Sequence, residues 1–272
     1  MRITPQTQCC ISIAARPGNF GATIFNAAFK VLNLDYIYIP RKVEAGDLGK
    51  AIDGIRALGI RGCGVSMPHK SEALRYLDHI DPVAKEIGAV NTIVNNAGVL
   101  TGYNTDVVGA EQALAEQYDV SGKRVIVFGA GGAARAICVA LKKLHAGEIL
   151  VSNRDELKGR QFAKEFSLLY YPFNERNECT GDLLVNATPV GMAPHEREMI
   201  IQKDSLGNYK AVLDIVIYPK TTQLLGAAAH AGLITISGAV MALHQAARQF
   251  TLYTGQEAPL DIMRETMVRL YQ

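Results

Sequence analysis

Val125-Ile126-Val127-Phe128-Gly129-Ala130-Gly131-Gly132-Ala133-Ala134-Arg135-Ala136 is the stretch that decides how this chain is read. A β-branched apolar run enters a glycine cluster, and Ala133 to Leu144 continues as a helical pattern. Strand, glycine turn and helix, in that order, form the context in which a dinucleotide pyrophosphate is held. Gly129 permits the tight turn, and Gly131 lets backbone N–H groups approach the phosphates. The small Ala134 lets helix pack on strand, and the helix N-terminus faces the phosphate charge. More than a hundred residues precede the loop, enough for a separate substrate domain.

Outward from the loop, the pattern alternates strand and helix. Towards the N-terminus it predicts strands over Cys9 to Ala14, Tyr36 to Pro40 and Ile60 to Ser66. Helices are expected over Gly21 to Leu32, with Ile24, Ala28 and Val31 on one face, and over Ala45 to Leu58. Val90 to Val94 and Val99 to Tyr103 read as a hairpin across Asn95-Asn96-Ala97-Gly98. Thr105 to Tyr118 reads as a linking helix. Beyond it, Arg124 to Phe128, Glu148 to Ser152, Asp182 to Asn186, Ala211 to Val216 and Leu233 to Ser237 read as strands of a Rossmann-like unit with helices between. Gly238 to Phe250 and Leu260 to Tyr271 read as C-terminal helices. The fold expected is α/β: an N-terminal substrate domain over 1–104, a Rossmann-like dinucleotide domain over 105–238, and helices over 239–272 that pack back on the substrate side.

Composition sets the outer bounds. The chain has 272 residues, 49% hydrophobic and 20% charged, which fits a globular protein with a sizeable core. A net charge of +2 without a basic run argues against nucleic acid or an acidic membrane surface as partner. No apolar run approaches the roughly 20 residues that span a bilayer, and the N-terminal Arg2 and Gln6 to Gln8 lead into no signal-peptide core. Five cysteines without CxxC spacing suit reduced thiols and a cytoplasmic location, with no metal site. His79, His145, His195 and His230 are scattered, His69 adjoins Lys70 and stands where it would line a cleft, and His244 neighbours Gln245.

Several residue groups carry chemistry. Past the second Rossmann strand stands Asn153-Arg154-Asp155-Glu156-Leu157-Lys158. Asn153 takes the place where NAD enzymes carry an acid that binds the ribose hydroxyls. Arg154 and Lys158 favour the 2′-phosphate of NADP, whereas Asp155 suits NAD or simply complements a helix dipole. In the first half, Val65-Ser66-Met67-Pro68-His69-Lys70 puts a lysine after a glycine-rich strand, and Tyr103-Asn104-Thr105-Asp106 puts a carboxylate at another strand end. Each reads as a plain helix start, Asp106 as an N-cap. Brought together in a cleft, they would form a proton relay for oxidising a hydroxyl. Asn91 and Gln245 would bind hydroxyl groups or serve the scaffold.

In combination these blocks make the chain resemble the shikimate/quinate dehydrogenase family over nearly its whole length. The matching blocks, in the family's order, are Val65 to Lys70, Gly88 to Thr92, Tyr103 to Asp106, Gly129 to Ala136, Asn153-Arg154, Asn186-Ala187-Thr188 with Gly191-Met192, and Gly238 with Met241 and Gln245. The resemblance implies reversible hydride transfer between NADP (or NAD) and a ring hydroxyl of a small hydroxylated ring carboxylate, as in reduction of 3-dehydroshikimate. It implies Lys70 and Asp106 as the catalytic pair, and Ser66, Asn91, Asp106 and Gln245 at the substrate. It also implies Gly129, Ala130, Gly131, Gly132, Ala133, Asn153, Arg154, Lys158, Thr188, Met192 and Gly238 at the cofactor, in a monomer or homodimer.

Two departures stand out. Where the family carries two serines for the substrate carboxylate, this chain has Asn19 and Gly21, with Arg16 nearby as a substitute charge. Losing a donor to a carboxylate costs about 1.5–3 kcal/mol, about tenfold or more in affinity. In Asp214-Ile215-Val216-Ile217-Tyr218-Pro219, Ile217 stands where the family has Tyr, and Tyr218 would face the opposite side of a strand. These changes resemble the shikimate dehydrogenase-like branch. They leave quinate, an amino- or hydroxy-cyclitol acid, or a weakly active nucleotide-binding regulatory role as alternatives.

Overall fold

The computed structural model describes residues 3–270. The chain divides into two compact units. One comprises the residues up to Thr105 together with those from Gln245 onward, and the other is Asp106–His244.

In the first unit, β1 (Gln8–Ala14), α1 (Phe20–Val31), β2 (Tyr36–Lys42), α2 (Leu48–Ala57) and β3 (Gly62–Val65) form a parallel βαβαβ run. β4 (His79–Ile80), α3 (Pro82–Ile87), β5 (Thr92–Asn96) and β6 (Val99–Tyr103) complete a six-stranded sheet of order β2-β1-β3-β5-β6-β4. Pro40 is tolerated because β2 is an edge strand, where a missing N–H breaks no ladder. The β5–β6 hairpin turns at Ala97 (φ 52°) and Gly98 (φ 90°), the left-handed pair that a two-residue primed turn requires. Asn95 Oδ1 accepts from Gly98 N–H at 2.7 Å and closes it. Ile11, Ile13, Ile52, Ile55, Cys63, Val65 and Ile93 form the core on one sheet face.

The second unit opens with α4 (Asp106–Gln117), then β7 (Arg124–Phe128), α5 (Gly132–Lys143), β8 (Glu148–Ser152), α6 (Glu156–Glu165), β9 (Leu169–Tyr170), β10 (Leu183–Asn186), β11 (Ala211–Asp214), α7 (Gln223–His230) and β12 (Ile234–Ser237). Every strand pair is parallel, in the order β12-β11-β10-β7-β8-β9. Numbered from β7, that is the 3-2-1-4-5-6 order of a doubly wound dinucleotide fold, read from the other edge. Val125, Ile126, Val127 and Phe128 are fully buried, as a strand covered on both faces demands. α8 (Gly238–Thr254) and α9 (Leu260–Leu270) finish the chain, and α9 packs on α1. The expected α/β architecture with a Rossmann-like second half is what the structure shows.

Several expected details shift. The buried stripe of α1 runs through Ile24, Phe25, Ala28 and Phe29 and leaves Val31 47% exposed at its edge. Residues 45–47 form a 3₁₀ turn before α2, and Leu58 lies past its end, 77% exposed. The strand expected to run to Val216 stops at Asp214. The end expected at Tyr271, and Arg2, lie outside the described residues.

Candidate active site

In the first unit two of the predicted substrate residues, Asn91 and Gln245, meet. The Asn91 backbone is held from both sides: Val65 N–H donates to Asn91 O at 2.7 Å, and Asn91 N–H donates to Tyr103 O at 3.0 Å. Its side-chain Oδ1 accepts from Thr92 Oγ1 at 2.7 Å and from Thr105 N–H at 2.8 Å. With Oδ1 facing these donors, Nδ2 becomes the outward donor and reaches Gln245 Oε1 at 3.3 Å. Gln249, one helical turn beyond Gln245 on α8, donates to Asn91 O at 3.1 Å and Thr92 Oγ1 at 2.8 Å. Asn91, Thr92, Thr105 and Gln249 are all at most 6% exposed, so these bonds are shielded from water. Sequence reasoning singled out Asn91 and Gln245 but missed Gln249. The i, i+4 spacing from Gln245 is the signal that would have found it.

Lys70 is half-buried in the turn after β3. Its carbonyl accepts from Val90 N–H at 2.8 Å, which ties it to the residue before Asn91. Ser66 is exposed, its N–H bonded to Ile13 O at 2.9 Å. His69 does not line a cleft: its ring is 2% exposed and Nε2 lies 2.9 Å from Val43 O, so it braces the turn. Asn19 is exposed at the N-cap of α1, with no side-chain capping bond. At Gly21, a Cβ would stand 3.2 Å from Tyr38 Cε1 and 3.4 Å from its hydroxyl. A serine side chain there would press on the buried Tyr38. Asp106, 7% exposed, opens α4 in the second unit, where its charge complements the helix dipole.

In the second unit, Gly129 follows β7 with φ 121°. A Cβ there would meet Ala187 O at 2.7 Å, so only glycine lets the two loops touch. The contact lies at the ends of β7 and β10, the switch point where such sheets bind ligands. Gly131 is exposed, precedes a twelve-residue helix, and a Cβ on it would meet nothing within 4 Å. Open space over free helix N–H groups fits a pyrophosphate. After β8, Asn153 Nδ2 donates to Asp155 O at 2.8 Å, and Asp155 Oδ1 accepts from Lys158 N–H at 3.1 Å. Asp155 is therefore the N-cap of α6, as the dipole reading expected, while Arg154 and Lys158 are exposed. Thr188 is fixed through Asn186, whose Oδ1 accepts from Thr188 Oγ1 at 2.6 Å and from Thr188 N–H at 3.1 Å. A Cβ on Gly238 would overlap the Ile215 backbone. Ile217 and Tyr218 lie beyond β11, so strand alternation does not orient them, and Tyr218 is 67% exposed. His244 Nε2 lies 2.8 Å from Glu116 Oε1. Among the described residues, no cluster of His, Cys, Asp and Glu could hold a metal ion.

The family models match in three consecutive segments. They are the shikimate dehydrogenase substrate binding domain over residues 20–93, shikimate/quinate 5-dehydrogenase over 110–236, and the shikimate 5′-dehydrogenase C-terminal domain over 238–268. A shikimate dehydrogenase (NADP(+)) from Methanothermobacter thermautotrophicus is 38% identical over 254 residues, covering 90% of each chain. The chain belongs to the shikimate/quinate dehydrogenase family. A shikimate dehydrogenase-like protein from Haemophilus influenzae is 36% identical over 265 residues, covering 97% of this chain and 96% of its own. The Listeria monocytogenes shikimate 5-dehydrogenase, crystallised with shikimate and NAD, superposes with a TM-score of 0.88 at 35% identity, covering 97% of this chain and 98% of its own. The family's substrate-domain match contains Lys70 and Asn91, the dehydrogenase match contains Gly129, Arg154 and Thr188, and the C-terminal match contains Gly238, Gln245 and Gln249.

Proposed function

We propose that this chain is an NADP-dependent dehydrogenase that interconverts 3-dehydroshikimate and shikimate. The observation that carries the reading is the Asn91 amide, locked by buried donors, paired with Gln245 and tied through Val90 to Lys70. A polyhydroxylated ring needs such fixed, directional partners to present one hydroxyl and not its neighbours. When bound, the nicotinamide ring takes or supplies the hydride. In the reducing direction the Lys70 ammonium gives a proton to the carbonyl oxygen as the hydride arrives at carbon. In the oxidising direction its neutral amine takes that proton back. Asp106 would accept a hydrogen bond from the reacting hydroxyl. Ser66, Asn91 and Gln245 hold the remaining polar groups of the ring.

The cofactor preference rests on exposed Arg154 and Lys158, with Asp155 spent on its helix cap. A guanidinium pairs bidentately with a phosphate, and a 2′-phosphate is what distinguishes NADP. The Methanothermobacter relative is named for NADP(+), while the Listeria structure holds NAD.

Lys70→Ala tests the reading. General acid–base groups contribute about 10²–10⁴-fold, so kcat for shikimate is expected to fall by that factor while NADPH affinity stays within about twofold. Unchanged turnover overturns the assignment. A second reading has its own observation: Asn19 and Gly21 stand where the family carries serines, and a Cβ at Gly21 would meet Tyr38 at 3.2 Å, which supports an altered carboxylate subsite. A kcat/KM higher for quinate or a cyclitol acid than for shikimate, measured with both cofactors, would replace shikimate as the substrate.

A further inference from the structure

Asp214 ends β11 with no exposed surface, and nothing in the proton relay uses it. An isolated buried carboxylate costs several kcal/mol, so such a group persists only where donors surround it. Here they come from three elements. Asn186 Nδ2 donates to Oδ1 at 2.9 Å, Val216 N–H donates to Oδ1 at 3.1 Å, and Thr222 Oγ1 donates to Oδ2 at 2.6 Å. Burial still pushes its carboxyl above the ordinary range.

Each partner leads to a different wall of the dinucleotide site. Asn186 fixes Thr188 through Oδ1 and donates to Val190 O at 2.9 Å, so it shapes residues 187–192. Ala187 in that segment is the surface against which Gly129 turns. Val216 fixes the exit of β11, and the Ile215 backbone there is what Gly238 packs on. Thr222 caps α7 by accepting Leu225 N–H at 3.2 Å and borders Gly191, where a Cβ would meet Thr222 Cγ2 at 3.4 Å.

We infer that Asp214 is the positioning residue of the dinucleotide site. It joins the Gly129 turn, the Thr188 loop and the Gly238 contact into one rigid surface without touching the ligand. The inference rests on the dinucleotide reading above and not on the identity of the ring substrate.

The test is NADPH affinity, read by fluorescence titration, alongside a thermal melt. In Asp214→Asn one oxygen becomes an NH2 group that cannot accept: at Oδ1 the bonds from Asn186 and Val216 are lost, at Oδ2 the bond from Thr222. NADPH Kd is expected to rise at least tenfold, with shikimate KM at saturating NADP+ within about twofold. A merely structural role would lower Tm and leave NADPH Kd unchanged at 25 °C. Should Asp214→Asn not fold, Thr222→Val removes the 2.6 Å bond together with the cap bond from Leu225 N–H and is expected to raise NADPH Kd about threefold. Thr222→Ser keeps the hydroxyl and restores wild-type binding. NADPH Kd within twofold of wild type in the folded variants overturns the inference and leaves the function intact. Wild-type protein that binds neither NADPH nor NADH overturns the dinucleotide reading and the inference with it.

Discussion

Asn91 shows how packing assigns the two ends of a single side chain. An amide offers both donors and acceptors, and either end can face a ligand. Thr92 and the Thr105 N–H occupy its oxygen, which turns the nitrogen towards Gln245. Gln249 is part of that arrangement, because it occupies the Thr92 oxygen as acceptor and directs the Thr92 proton towards Asn91. Gln249→Leu strips both bonds from a buried site. Shikimate KM is expected to rise about tenfold with kcat and NADPH Kd nearly unchanged, as steady-state kinetics would show. An unaltered KM would mean that Thr92 and Thr105 hold Asn91 unaided.

At the scale of the element, the two glycines of the dinucleotide loop do different work. Gly129 serves the fold, since its φ of 121° and the nearness of Ala187 O forbid a side chain. Gly131 has no such constraint. Its φ of −88° suits any residue, and its missing Cβ faces open space. Gly131→Ala is therefore expected to melt at the wild-type temperature yet bind NADPH at least tenfold more weakly, because the methyl group occupies the approach to the α5 N-terminus. Titration and a thermal melt on the same sample check both halves. Unchanged affinity would place the pyrophosphate elsewhere. The same reasoning explains α6, where Asp155 serves the helix as its cap.

For the molecule as a whole, burial governs the thiols. Cys10, Cys63, Cys138 and Cys179 are at most 1% exposed, and burial pushes Cys10 and Cys138 up to about 12. At pH 8 a thiol with that pKa is only ~10⁻⁴ thiolate, the reactive form. A colorimetric thiol reagent is expected to titrate no more than the half-buried Cys9 in native protein and all five cysteines in denaturant. Rapid native labelling of four thiols would contradict the packing described.

The sequence by itself determined the strand–glycine–helix unit at Val125, the parallel second half and the candidates Lys70, Asn91, Arg154 and Gln245. Those features depend on local periodicity and on residues whose chemistry is evident one at a time. It missed the two-residue strands β4 and β9, too short to show a period, and it extended β11 through Val216 although pairing ends at Asp214. Only the tertiary structure decided that His69 braces a turn, that Asp155 is a cap, that a side chain at Gly21 would meet Tyr38, that Gln249 bonds Asn91 and Thr92, and that Asp214 bonds Asn186 and Thr222. Each of these depends on groups far apart in the chain meeting at hydrogen-bond or van der Waals distance. Periodicity records which face of an element is buried, but not what it is buried against.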